Sequence, residues 1–358
     1  MADRRVFLKG LAAAAVLPVR GWAAVGQPGW VAAARQADGR HALCGLDADG
    51  RITFSVPLPD RGHAAAAHPY RAEIVAFARR PGRFGLVIDC RDGAVIRRLS
   101  PPAGRQFNGH GAYASDGRLL FTSEVVAQGS AGRIGLWDVR AGYARIGEWD
   151  SHGIGPHEIK LCPDGGLAVA NGGIETDPDD RKPLNLDRMR PNLALIGAEG
   201  DLVSRREMPD ELAQNSIRHL ALLPGGIGFA MQWQGDVAEP VPLLGIAPDG
   251  ASLRGCPPPE PERFAMKAYA GSIAATASGL IAITSPRGGV VMIHRADGAH
   301  LSTLRRADIC GAASRDADGF MLTDGGGAIW VADADGLSLM SSHALAWDNH
   351  LVRIGGAG

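Results

Sequence analysis

From residue 30 onward the apolar positions come in short runs separated by turn residues, and no stretch keeps a helical period over a useful length. The runs are of strand length and rich in β-branched residues: A-E-I-V-A-F-A (72–78), G-L-V-I-D-C (85–90), R-L-L-F-T-S (118–123) and R-I-G-L-W-D-V (133–139). Asp-Gly recurs between them, at 92–93, 116–117, 164–165, 249–250 and 297–298. The grammar is strand, turn, strand, turn, strand.

One stretch, S-H-G-I-G-P-H-E-I-K-L-C-P-D-G-G-L-A-V-A-N-G-G (151–173), shows a unit most clearly: a histidine, a strand, a turn and a second strand. The order repeats in N-G-H-G-A-Y-A-S-D-G-R-L-L-F-T-S (108–123) and in S-I-R-H-L-A-L-L-P-G-G-I-G-F-A-M-Q (216–232). His110, His157 and His219 each stand where the first strand of a unit begins. Further units open near His68, at Gly271 and at Gly311, which gives six internal units. The strands left at the N-terminus (W-V-A-A-A-R, H-A-L-C-G-L-D, R-I-T-F-S-V) and N-H-L-V-R-I (349–354) complete a seventh. The pattern therefore predicts an all-β fold, a seven-bladed β-propeller with one blade shared between N- and C-terminal strands. In such a ring the first strand of each blade lines the central channel, so His110, His157 and His219 are expected to meet at one mouth. His350 is expected to join them, and His68, a few residues too early, to sit on a rim loop.

Composition narrows the partners. A formal net charge of −1 and 6% aromatic residues leave neither a basic stripe nor a stacking platform, which argues against nucleic acid. Residues 1–23 read as a removable export signal: Arg4-Arg5 precede Phe7-Leu8-Lys9, an apolar run too short to span a bilayer follows, and Gly21-Trp22-Ala23 suits a signal peptidase. The paired arginines resemble a twin-arginine (Tat) signal, so the expected organisation is a leader at 1–23 and a single propeller at 24–358, exported to a periplasm as a monomer with no membrane span after signal removal. The five cysteines lie far apart without a C-x-x-C, and each reads as a small buried hydrophobe.

R-Q-F-N-G-H-G, H-G-I-G-P-H-E-I, A-N-G-G-I, L-N-L-D-R-M-R-P-N-L, S-I-R-H-L and I-T-S-P-R-G-G together resemble an uncharacterised family of Tat-exported bacterial seven-bladed propellers, catalogued as a domain of unknown function. The resemblance covers essentially the whole mature chain. It implies a setting rather than an activity: members are encoded beside imelysin-type periplasmic iron-uptake proteins, which become the expected partners, and a dihaem oxidoreductase. Where relatives read Thr-His-Pro after Asn-Gly-Gly, this chain has Thr176-Asp177-Pro178, so a histidine's role there is lost or passes to Asp177.

Imidazole is a ligand for Fe, Cu, Zn and Ni, so His110, His157 and His219 are the candidate ligands of a transition metal, Fe or Cu in an iron-acquisition or redox setting. Glu158, and Gln232 or Gln234 of M-Q-W-Q-G, are the candidates for fixing ring tautomers. The same histidines could instead hydrogen-bond backbone and water in a polar channel. A second function class is a hydrolase or lactonase-like propeller, with His157–Glu158 or His219 as base and Arg105 or Arg218 binding an anionic substrate. No nucleophile motif such as G-x-S-x-G accompanies it. A third class is a protein-binding platform with the 175–190 insertion at its rim, although that insertion's mixed charges equally suit a solvated loop.

Overall fold

The computed structural model describes residues 21–354 apart from 80, 81, 83 and 181. The paired arginines of the leader, and Arg181 of the insertion, therefore lie outside the described residues. Seven antiparallel four-stranded sheets form the molecule. Blades 1 to 6 are continuous in sequence and begin with innermost strands Gly62–Ala67, Arg105–Tyr113, Pro156–Leu161, Asn215–Leu223, Ser272–Ala275 and Ile309–Ser314. Blade 7 is composite: Leu345–Arg353 is its innermost strand and pairs with Trp30–Gln36, followed outward by His41–Leu46 and Ile52–Leu58. Each innermost strand neighbours the next, and the seventh closes on the first. The described helices are three short 3-10 turns.

The unbroken apolar runs reflect strands buried on both faces. In Trp30–Gln36, Val31 and Ala33 join one core cluster with Ile74, Ala76 and Leu86 of blade 1, while Ala32 and Ala34 join another with Cys310, Met321 and Ile329 of blade 6. The remaining blade interfaces are filled in the same way, one apolar cluster for each. Four of the cysteines are buried and the fifth, Cys162, is half-buried; all five are free thiols. The expected Asp-Gly turns form, with glycines such as Gly117 (φ 69°) and Gly165 (φ 88°) in the left-handed region.

Two placements differ from the sequence reading. Blade 1 opens at Gly62, not near His68. His68 follows the far end of that strand, buried, where Nδ1 accepts the backbone N–H groups of Tyr70 and Arg71 at 3.0 Å each. It caps a turn and does not stand on the rim of the mouth. Near the N-terminus, Trp22–Val25 form a 3-10 turn whose Trp22 indole donates to the His68 carbonyl at 3.0 Å.

Candidate metal centre in the channel

The innermost strands share a local irregularity. Register shifts interrupt the pairing between Gly62 and Ala65, Phe107 and Gly111, Pro156 and Ile159, Ile217 and His219, and Ile309 and Ala312. The blade 7 ladder shifts likewise where Ala32 pairs Leu351 and Ala34 pairs Trp347. A bulge leaves residues out of the ladder and re-aims their side chains. Here the displaced or adjoining residues include His63, His110, His157, His219 and His350. Blade 5, whose innermost strand Ser272–Ala275 pairs without a shift, contributes no histidine, and blade 6 carries Cys310-Gly311 at the bulge.

The five rings converge. Going round, His63 and His350 have centroids 4.5 Å apart, His350 and His219 4.7 Å, His219 and His157 4.7 Å, and His157 and His63 5.6 Å. His110 touches all four, at 4.9 Å from His63, 4.9 Å from His350, 4.7 Å from His157 and 5.6 Å from His219. The ligand nitrogens group as two triads sharing His110: His63, His110 and His350, and His110, His157 and His219, each within 4.8 Å. Gly109 (φ 94°) makes room for this, since a Cβ there would lie 2.5 Å from the His63 ring.

Burial above all, and then the neighbouring imidazoles, push His63, His157 and His350 well below the ordinary histidine range. They are neutral at pH 7, the form that binds metal. Nδ1 of His63, Nδ1 of His157 and Nε2 of His350 are buried and have no hydrogen-bond partner among the described residues. Glu158 supports the cluster from behind. Its Oε2 lies 3.4 Å from His219 Nδ1 and accepts the Leu220 N–H at 2.9 Å, and its Oε1 lies 3.2 Å from Lys160 Nζ. Burial opposes that carboxylate's charge, but Lys160 and His219 outweigh it and hold Glu158 well below the usual carboxylate range. A carboxylate on Nδ1 turns the other nitrogen of His219 toward a ligand.

The structure thus brings together His110, His157 and His219, adds His350 as expected, and adds His63, which the sequence reading passed over. Arg218 is buried beside His219 in the bulge and adds positive field at His157. Arg105 is not brought to the cluster. It pairs with Glu148 of its own blade at 2.7 Å, a carboxylate that also meets Arg133 and Arg145. Gln232 lies at the mouth, where its amide donates to the Ala270 carbonyl at 3.2 Å. His157 and Glu158 do not form a dyad, because the Glu158 carboxylate is taken up by His219, Lys160 and the Leu220 N–H. The carboxylate of Asp177 accepts the N–H groups of Asp179 (2.9 Å) and Asp180 (3.2 Å) and so caps its own loop.

Loops joining the second and third strands, or leading into the next blade, lie at the end where innermost strands begin. The long segments 172–180 with 182–191, 234–243 and 257–271 therefore surround the same mouth as the histidines. Gln106 donates to the Pro178 carbonyl (3.2 Å), and Asn349 to the Tyr269 hydroxyl (3.2 Å), which carries the Arg287 guanidinium over its ring at 4.3 Å.

Comparison with solved structures agrees with the architecture. A chain of "Crystal Structure of Mitotic Checkpoint Complex" superposes with a TM-score of 0.55 at 12% identity, covering 79% of this chain and 77% of that one. "Structure of Dos1 propeller" gives 0.49 at 13% identity, covering 80% and 85%. At such identities the likeness to the first concerns the fold alone. No curated protein matches the sequence. The family described as "Protein of unknown function (DUF1513)" matches residues 56–354, which include all five channel histidines, and this β-propeller belongs to it.

Proposed function

We propose that the channel binds one transition-metal ion through its histidines. The observation that carries this reading is the convergence of five imidazoles from five different blades. An all-imidazole set suits Cu, Zn, Ni and Fe rather than Mg or Ca. Ring separations of 4.5–5.6 Å also fit. A metal–nitrogen bond of about 2.1 Å puts ring centroids about 3.2 Å from the ion, hence about 4.5 Å apart at right angles and about 5.2 Å at the tetrahedral angle.

Metal-free protein incubated with Cu(II), Zn(II) or Ni(II) and then desalted is expected to retain one ion per chain, Cu(II) most tightly. His157→Ala and His350→Ala are expected to weaken retention at least about tenfold with an unchanged circular dichroism spectrum, and Glu158→Gln by about 10–100-fold. Retention well below one ion by the parent, or parental retention by both alanine variants, would overturn the reading.

The compartment belongs to the same proposal: export by the twin-arginine route to a periplasm, in an iron-acquisition or redox setting, with imelysin-type iron-uptake proteins as the partners. The R-R-V-F-L-K stretch supports it. Changing Arg4 and Arg5 together to Lys is expected to leave folded precursor in the cytoplasm, as read by fractionation; normal export of that variant would refute it.

A further inference from the structure

A second group of ligand-type side chains lies outside the channel, at the interface of blades 4 and 5. Cys256 ends the outer strand of blade 4, Arg254–Cys256, and Met292 and His294 stand on the third strand of blade 5, Val290–His294. Two positions apart on one strand, Met292 and His294 share a face, the one whose Val290 and Met292 pack with Leu244 and Ile246 of blade 4. Met266 lies in the segment that joins the two blades, held by its carbonyl, which accepts the Ser285 hydroxyl at 2.8 Å. These four side chains line one cavity of about 10 Å³, room for a single water-sized occupant. None of the four is more than 3% exposed.

The histidine is set up as a ligand. Its Nδ1–H donates to the Gly298 carbonyl at 3.2 Å, which leaves the lone pair on Nε2. Nε2 is buried and has no hydrogen-bond partner among the described residues. Burial lowers His294 to about 4, so the ring is neutral at pH 7. Gly298 (φ 81°) serves the sulfur as well, since a Cβ there would collide with Cys256 Sγ. One glycine thus orients the imidazole and adjoins the thiol. A thiol, two thioethers and a neutral imidazole form a soft donor set, the kind that selects monovalent copper. We propose that this cavity binds one Cu(I) ion through Cys256, Met266, Met292 and His294. Binding releases the Cys256 thiol proton to solvent, and the thiolate with Cu(I) carries no net charge. That suits an apolar cavity whose charged lining is one residue of each sign, Glu262 and Arg263. The pocket shares no residue with the channel, whose donors are all imidazoles, and stands or falls independently of the metal reading there.

The test uses the full chain and its His157→Ala/His350→Ala double variant, in which the channel has lost two of its ligands. Cu(I) is supplied without oxygen against a competing chelator, and X-ray absorption is recorded on the one-to-one complex of the double variant. The expected result is one Cu(I) per chain with sulfur as well as nitrogen scatterers around it. In that background Cys256→Ser is expected to weaken Cu(I) binding at least about a hundredfold, and the volume-conserving Met292→Leu at least about tenfold. Unchanged affinity in either variant, no Cu(I) held by the double variant, or nitrogen and oxygen scatterers alone would overturn the proposal. Should Cys256→Ser fail to fold, Met292→Leu and the scattering decide it. Failure of the parent to retain Cu(II), Zn(II) or Ni(II) would bear on the channel alone.

Discussion

Deletion of residues 345–358 is expected to abolish the cooperative fold. That segment contains the innermost strand of blade 7, which pairs along Trp30–Gln36 and closes the ring between the sixth and first innermost strands. Trp347 and Leu351 are buried in the interface with blade 6, and Val352 packs into the cluster shared with blade 1. At roughly 1.5–3 kcal/mol for each large side chain fully buried, Trp347 and Leu351 contribute about 3–6 kcal/mol, and the half-buried Val352 adds less. A domain's whole stability is about 5–15 kcal/mol. The deletion also removes the Asp348 partner of Arg61 (2.5 Å) and leaves the Trp30–Gln36 strand with an open edge, a template for aggregation. Size-exclusion chromatography should show aggregate, and thermal circular dichroism should show no sharp transition. Trp347→Ala, which keeps the ladder, is expected to fold with a loss of about 3–5 kcal/mol. A truncated protein that stays monomeric and melts like the parent would mean that the shared blade does not hold the ring shut.

The architecture was legible because a propeller writes itself into sequence as repeated strands and Asp-Gly turns, and because the composite blade leaves fragments at both ends that are incomplete alone. The site was legible in part for the same reason: a residue type recurring on the innermost strand of successive units converges once the ring closes, although His110 and His219 stand in the middle of Arg105–Tyr113 and Asn215–Leu223 and not, as the pattern predicts, where those strands begin. His63 obeys that rule too. It stands 47 residues before His110, the interval that also separates His110 from His157, and it opens the apolar run Ala64–Ala67. Other features had no local signal. Bulges depend on the partner strand's register, so nothing in R-G-H-A or N-G-H-G announces them. Glu158 reads as the partner of its neighbour His157, yet it lies in the bulge between Pro156 and Ile159 and meets His219 on the next blade, 61 residues away. Arg105 sits in the same strand as His110, but Glu148 on the outer strand of its own blade takes it up, a pairing between residues 43 apart that sequence spacing cannot show.

The same buried histidines make the metal-free protein acid-sensitive. His63, His157 and His350 are held well below the ordinary value of about 6.5, by burial first and by one another second. His294, buried in blade 5 with Nδ1 3.2 Å from the Gly298 carbonyl, is lowered to about 4, mainly by burial, and His68 moves the same way. A histidine whose folded value is depressed takes up its proton more readily in the unfolded chain. Its contribution is therefore intact above about pH 6.5 and is lost progressively as the pH falls from there toward the folded value. With His63, His157, His350 and His294 acting together, the unfolded chain binds up to four more protons, a slope approaching about 5 kcal/mol per pH unit. Urea denaturation of metal-free protein should show constant stability from pH 8 to 7 and a steep fall between pH 6 and 5. Glu158, held well below its ordinary value, gives way only at lower pH, as its carboxylate begins to protonate and its stabilisation by Lys160 and His219 is lost. His294→Gln, remote from the channel ligands, should flatten the first fall by one proton's worth, about 1.4 kcal/mol per pH unit. Stability that stays level from pH 7.5 down to pH 5 would show that the channel rings accept protons in the folded state, and hence that they are not the desolvated, neutral cluster from which the metal site is built.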